Sequence, residues 1–292
     1  MPIKTIGLLS PGDMGNAVGR TLVEGGLKVI TCLDGRSQRT KGLAEKAGIE
    51  SVPTYATLVT EADIILSILV PAEAVNAAEK VAAALKETGR EILYVDCNAI
   101  APETVREIGG IIEKAGSRFA DAGIIGAPPA AGRYTIFCTS GKDTADFEKL
   151  AESGLNIRQV GDKIGQASGL KMTYAAFTKG SSALTTELLV AAQRMGLYDE
   201  LSKLFEESQS DRFAQIGRGL LTMPYRSRRW VGEMEEIAKT FGSLGLTPLI
   251  LEGAADLYRF VGDTPLADET PENYDKSRTL EQLIETLAGD EG

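Results

Sequence analysis

The 292-residue chain contains no histidine. A Ser-His-Asp triad, a Cys-His pair and imidazole acid/base or metal chemistry are therefore excluded, and proton transfer falls to Lys, Tyr, Asp or Glu. Lys171 is the foremost candidate. Its neighbours Leu170, Met172 and Ala175 are apolar, and desolvation lowers a lysine's pKa toward the range where it serves as both acid and base. Tyr174, Thr178 and Lys179 follow at positions that return to nearly the same side of a helix. Tyr174 is the second catalytic candidate, as a hydroxyl that shares or relays the proton, with core packing as the alternative. Lys179 is a candidate contact for a phosphate or carboxylate, or a structural residue. Arg226, Arg228, Arg229 and Glu233 form a charge cluster. Arg226 or Arg229 suits a substrate carboxylate through a bidentate guanidinium, and salt bridges to acidic helices are the equal alternative.

A second group of residues points to a dinucleotide. Ser10-Pro11-Gly12-Asp13-Met14-Gly15 follows an apolar run and opens a helix. This is the place of a G-x-G-x-x-G loop, whose glycines make the turn, admit the pyrophosphate and let helix pack on strand. Gly12 and Gly15 keep the last two roles, and Ser10-Pro11 replaces the turn glycine. Free N–H groups at the helix start face the phosphates. Asp13 is expected to point away from them, as a cap. The next strand ends in Leu33-Asp34-Gly35-Arg36-Ser37-Gln38-Arg39, where the adenosine ribose is read. Asp34 suits a ribose 2′-hydroxyl and implies NAD; Arg36, Ser37 and Arg39 suit a 2′-phosphate and imply NADP. Two arginines and a hydroxyl favour NADP, with NAD as the alternative.

The elements that must hold these residues are legible from periodicity. Up to residue 162 apolar strands alternate with helices, which predicts an α/β, Rossmann-type, doubly wound parallel sheet. From residue 163 to 292 strand signals vanish, which predicts an all-helical second domain, to which the family resemblance given below adds the substrate and dimerisation roles. It begins with a long helix over 166–195, followed by helices at 198–207, 210–221, 228–244, 248–261 and 279–288. Composition is that of a globular chain, 43% hydrophobic and 25% charged. A net charge of −10 argues against a nucleic-acid partner. No apolar run is long enough for a membrane span, and the immediate entry into a strand leads to the expectation of a cytoplasmic enzyme. Cys32, Cys97 and Cys138 are scattered and read as small buried residues, and no metal is expected.

Taken together the motifs resemble the β-hydroxyacid dehydrogenase superfamily, which includes 3-hydroxyisobutyrate and 6-phosphogluconate dehydrogenases and their imine-reductase relatives. Ile6-Gly7-Leu8-Leu9-Ser10-Pro11-Gly12-Asp13-Met14-Gly15 is similar to the family loop I-G-F-I-G-x-G-x-M-G, departing at Ser10. Asp63 to Pro71, with Leu69 and Val70, resembles the strand beneath the nicotinamide. Asp96-Cys97-Asn98-Ala99-Ile100-Ala101-Pro102-Glu103-Thr104 resembles D-x-S-T-x-x-P-x-T, with Asn98 and Ala99 for the Ser-Thr pair. The resemblance gives Leu69, Val70 and Asn98 to the cofactor. Asp121-Ala122-Gly123-Ile124-Ile125-Gly126 resembles the substrate loop D-A-P-V-S-G and implies that Gly123, Ile124 and Ile125 border the substrate; Gly123 stands for the family Pro and Ile125 for its Ser. Gly165-Gln166-Ala167-Ser168-Gly169-Leu170-Lys171 resembles G-x-G-x-x-x-K, with Lys171 in the catalytic lysine's place. Tyr174-Ala175 stands where the family has asparagine. The resemblance implies an NAD(P)-dependent oxidoreductase of a branch with its own C-terminal domain. It implies hydride transfer between nicotinamide and a small, carboxylate-bearing β-hydroxy acid or its carbonyl form, and a homodimer that covers part of the long helix. Imine reduction or reductive amination on the same scaffold, and a dinucleotide-binding protein without catalysis, are the alternatives.

Overall fold

A computed structural model of the chain describes residues 3–289. Strands β1 (Thr5–Leu9), β2 (Lys28–Cys32), β3 (Glu50–Val52), β4 (Ile64–Ser67), β5 (Leu93–Asp96), β6 (Arg118–Gly126), β7 (Thr135–Ser140) and β8 (Ile157–Gly161) alternate with helices α1 (Asp13–Glu24), α2 (Gln38–Lys46), α3 (Tyr55–Glu61), α4 (Ala74–Thr88), α5 (Pro102–Lys114) and α6 (Ala145–Glu148). Their order in the sheet is β3-β2-β1-β4-β5-β6-β7-β8. The order reverses at β1, so the crevice beyond the carboxyl ends of β1 and β4 is the switch point at which open α/β sheets bind ligands. Every pairing is parallel except β6–β7, where Gly126 lies opposite Thr135. The loop between them is too short for a crossover, which is why this pair departs from the all-parallel expectation. The short strand β3 and helix α3 carry too little periodicity to have been read from the sequence.

Both faces of the sheet are covered, which explains strands as continuously apolar as Ile64-Ile65-Leu66. One face packs Leu9, Ile65, Tyr94 and Phe119 against α3, α4 and α5. The other packs Ile6, Leu8, Leu66 and Val95 against α1 and residues around Phe147. The three cysteines lie buried and free.

The remaining helices are α7 (Gln166–Arg194), α8 (Tyr198–Leu220), α9 (Pro224–Ser243), α10 (Leu249–Gly262) and α11 (Leu280–Ala288). The two helices expected at 198–207 and 210–221 are one element, α8, with non-helical backbone at Gln209. The chain forms two compact units, the first ending at Met172 and the second beginning at Thr173. The division falls inside α7, ten residues beyond the boundary expected at 162/163, because the first two turns of α7 pack on the sheet unit. No helix among the described residues is long and apolar enough to cross a membrane.

Candidate functional site

The β1–α1 turn has the geometry of a phosphate loop built without its first glycine. Ser10 has φ of +64°, alone among the described non-glycine residues in the positive range. It takes the left-handed conformation that glycine adopts without cost. Its carbonyl accepts from the Gly12 N–H at 2.8 Å, and Pro11 is buried. A Cβ at Gly15 would stand 2.4 Å from the Ser10 carbonyl oxygen, so only glycine permits the helix to start this close to the strand. A Cβ at Gly12 would meet nothing within 4 Å. Gly12 is the N-cap of α1 and has no side chain to satisfy the first N–H groups, which leaves them for an anion. Met14 is half-buried against the core under β1. These features fit a dinucleotide pyrophosphate.

Asp13 does not cap α1. Its carboxylate accepts from the Arg39 guanidinium at 2.6 Å, an ion pair that ties the phosphate loop to the segment after β2. In that segment Asp34 is exposed and Gly35 turns the chain with φ of +68°. Arg36 is half-buried, and its charge acts on Tyr55 at the start of α3. Burial raises the Tyr55 pKa, with Arg36 opposing. The Ser37 hydroxyl is engaged as the N-cap of α2, accepting from the Thr40 N–H at 3.2 Å. Of the residues assigned to the adenosine ribose, Arg36 and Arg39 are cationic, Ser37 already caps a helix, and Asp34 stands exposed.

Asn98 is buried beyond the end of β5, and its amide is fully engaged. Its Nδ2 donates to Ser67 Oγ at 2.9 Å and to Asp96 Oδ2 at 2.8 Å, while its Oδ1 accepts from the Leu69 N–H at 2.5 Å. Its side chain therefore fixes the backbone at Leu69 and Val70, where the chain leaves β4. Leu69 is half-buried, and Val70, 45% exposed, precedes the turn at Pro71.

On β6 the strand alternation separates the expected substrate residues. Gly123 and Ile125 share the face on which α7 begins. Ile125 packs with Ile136, Cys138 and Ala167, whereas Ile124 lies in the core under β1 and β4. A Cβ at Gly123 would come within 2.8 Å of the Ala167 carbonyl oxygen and 2.9 Å of Lys171 Cβ. Lys171 is thus half-buried directly over Gly123.

Two carboxylates with no role legible in the sequence, Asp96 on β5 and Asp121 on β6, lie on the strands beneath the start of α7. Asp96 and Asp121 are 0% exposed. Burial pushes Asp96 up to about 7; hydrogen bonds from Asn98 and the Lys171 charge oppose the shift, and Asp121 adds to it. Burial also raises Asp121, against hydrogen bonds from Ser168, Ser140 and Gly165. The signal that marks them is an acidic residue in a buried apolar strand, Asp96 at the end of β5 and Asp121 within β6.

In the helical unit, Tyr174 is 52% exposed. Lys179 and Arg229 both pair with the buried Glu233 of α9, Lys179 at 2.8 Å. Lys179 also lies 5.5 Å over the Trp230 ring. A carboxylate so buried requires such partners, which is the salt-bridge alternative for both cations. Arg226 donates to the Tyr225 hydroxyl at 3.1 Å and stacks on its ring.

Comparison with known proteins agrees with this geometry. Residues 4–158 match the NAD binding domain of 6-phosphogluconate dehydrogenase, and residues 192–261 match a domain of unknown function, DUF1932. A 28.5 kDa uncharacterised protein of Methanothermus fervidus is 30% identical over 257 residues, 88% of this chain and 98% of that one. A solved conserved protein of unknown function, described as structurally similar to 3-hydroxyacid dehydrogenases, superposes with a TM-score of 0.65 at 30% identity, over 89% of this chain and all of that one. The fold is also that of Mycobacterium tuberculosis 3-hydroxyisobutyrate dehydrogenase, with a TM-score of 0.67 at 20% identity over 90% of this chain and 95% of that one. With its phosphate loop, its switch-point crevice and more than half its length matched, the chain belongs to the 6-phosphogluconate dehydrogenase-like family of NAD(P)-dependent oxidoreductases.

Proposed function

We propose that the protein interconverts a small β-hydroxy acid and its carbonyl form, with Lys171 as general acid/base and NADP as the preferred dinucleotide. The observation that carries the reading is the seat of Lys171: half-buried over Gly123, two residues along β6 from the buried Asp121. Ser10, Gly12 and Gly15 would hold the pyrophosphate, Leu69 and Val70 would border the nicotinamide, and Arg36 and Arg39 would meet the 2′-phosphate. A bound nicotinamide would supply the hydride acceptor for the carbinol carbon, or the hydride donor for the carbonyl carbon in reverse. Lys171 Nζ takes the hydroxyl proton as the C–H pair leaves and the C=O bond forms, and donates it to that oxygen in reverse. Gly123 would let α7 bring Lys171 close against β6, and Ile125 would offer an apolar wall where the family has a serine. Tyr174 is the residue we assign to tuning the lysine.

The test is Lys171→Met assayed on small β-hydroxy acids and semialdehydes by nicotinamide absorbance. Turnover should fall by roughly 10²–10⁴-fold, the worth of a positioned acid/base, with dinucleotide affinity unchanged. Near wild-type turnover in the methionine variant would overturn the lysine mechanism. Imine reductases share this fold, one from Pseudomonas sp. with a TM-score of 0.56, so consumption of cyclic imines with a silent carbonyl panel would move the assignment to imine reduction. Binding of NADPH with every panel silent would favour a non-catalytic protein.

A further inference from the structure

The two buried aspartates stand side by side. Asp96 on β5 and Asp121 on β6 are register partners in parallel strands, so their side chains rise from the same face of neighbouring strands, about 4.8 Å apart at the backbone. Their surroundings differ. Asp121 accepts four hydrogen bonds, from Ser140 Oγ at 2.9 Å, the Gly165 N–H at 2.9 Å, the Ser168 N–H at 3.1 Å and Ser168 Oγ at 2.5 Å. It anchors the first turn of α7, where the helix dipole also favours negative charge. Asp96 accepts from Asn98, through its N–H at 2.9 Å and its amide at 2.8 Å.

Lys171 stands one turn beyond Ser168, over Gly123, two residues along β6 from Asp121. Helical side chains lean toward the N-terminus of their helix. The Lys171 stem therefore points back toward Ser168 and the two carboxylates. We propose that Asp96 is a positioning residue for Lys171: the two form a buried acid–base couple in which ionised Asp96 holds the lysine as ammonium, while Asp121 stays committed to the start of α7. The Lys171 charge favours ionised Asp96, and the interaction is reciprocal by linkage. The other titratable groups facing the couple are Tyr94 and Cys97, both pushed far up by burial and hence neutral. Ser67 of β4 lies beneath, and the Arg106 guanidinium of α5 lies against Gly165.

If Lys171 handles the proton as proposed above, the couple biases the direction of reaction. Near neutral pH the lysine starts as the acid, which suits reduction of a carbonyl, and oxidation gains as pH rises.

The coupling is measurable without turnover. Trace acetic anhydride labels lysines in their neutral form, and peptide mass spectrometry of the full chain reads Lys171 across pH. In Asp96→Asn the Lys171 midpoint should fall by about one unit, making it roughly tenfold more reactive below its midpoint, with other lysines unchanged. An unchanged Lys171 profile in the folded variant would overturn the proposal. If Asp96→Asn does not fold, the reciprocal experiment decides. The carboxyl infrared band of Asp96 should titrate about one unit higher in Lys171→Met than in wild type, and an unmoved midpoint refutes the couple. Neither readout uses substrate, so its failure is distinct from failure of Lys171→Met to lose turnover.

Discussion

Replacing Ser10 by glycine tests the phosphate loop at its one strained position. An L-residue in the left-handed region costs about 1–2 kcal/mol, and Ser10 sits there with φ of +64°. The conformation is held from two sides. The Gly12 N–H binds the Ser10 carbonyl at 2.8 Å, and the same carbonyl fills the space a Cβ at Gly15 would need. Glycine removes the strain but adds freedom to the unfolded chain, a cost of roughly 0.5–1 kcal/mol. The net expectation is that Ser10→Gly stabilises the sheet unit by about 0.5–1 kcal/mol, a rise of about 1–4 °C in melting temperature for a unit of this size. Ser10→Val, β-branched and poorly tolerated at positive φ, should destabilise by about 2 kcal/mol. Circular dichroism melts of both variants, with parallel NADPH titrations, give the answer. Ser10→Gly should bind NADPH at least as well as wild type, because a loop freed of strain adopts the same path. A lower melting point for Ser10→Gly, or a Ser10→Val variant as stable as wild type, would show that the backbone does not turn left-handed here.

Arg36→Ala should weaken NADPH by about 1–3 kcal/mol, the scale of a charge-assisted hydrogen bond, and leave NADH nearly unchanged; a wild type that prefers NADH would return the ribose to Asp34. Asp96 gives a pH signature in stability. Its folded pKa of about 7 lies above its ordinary 3.8, so its stabilising contribution is complete below pH 3.8 and is lost as pH rises through 7, by at most about 4 kcal/mol. Denaturant unfolding should therefore show wild type losing stability relative to Asp96→Asn across that interval, and a gap constant with pH would refute it. Leu170, Tyr174, Phe177 and Leu184 recur along α7 and are 43%, 52%, 70% and 63% exposed, a stripe that a second copy of the chain is expected to cover; sedimentation at micromolar concentration should give a dimer, and a monomer counts against it.

Much of the sheet unit was legible because buried parallel strands are short apolar runs punctuated by Gly and Pro. The phosphate loop was legible because Gly12 and Gly15 keep their frame. What escaped was tertiary. Nothing local to Asp13 announces that its partner is Arg39, and Asp13 was expected to cap α1. Lys179 and Arg229 read equally as ligand contacts or as salt-bridge residues until the buried Glu233 between them is seen. The expectation of a depressed Lys171 pKa rested on Leu170, Met172 and Ala175, its neighbours along the helix. Strand register alone sets Asp96 and Asp121 side by side across the sheet, and the couple proposed between Asp96 and Lys171 acts in the opposite sense.

The substrate loop carries the same lesson in steric form. Where the related family pattern has proline on the strand and a second glycine on the helix, this chain has Gly123 and Ala167. The absence of a Cβ at Gly123 is what admits the Ala167 carbonyl at 2.8 Å and Lys171 Cβ at 2.9 Å from the position it would occupy, so the departure on the strand sets how closely α7 and its lysine lie against β6. Ile125 stands where the related pattern has serine, and the residues it packs against, Ile136, Cys138 and Ala167, are all apolar or nearly so. A hydroxyl lost without replacement from a wall that faces α7 alters what can bind there more than what can react there, so it is in the substrate, rather than in the proton transfer, that this chain is expected to depart from its relatives.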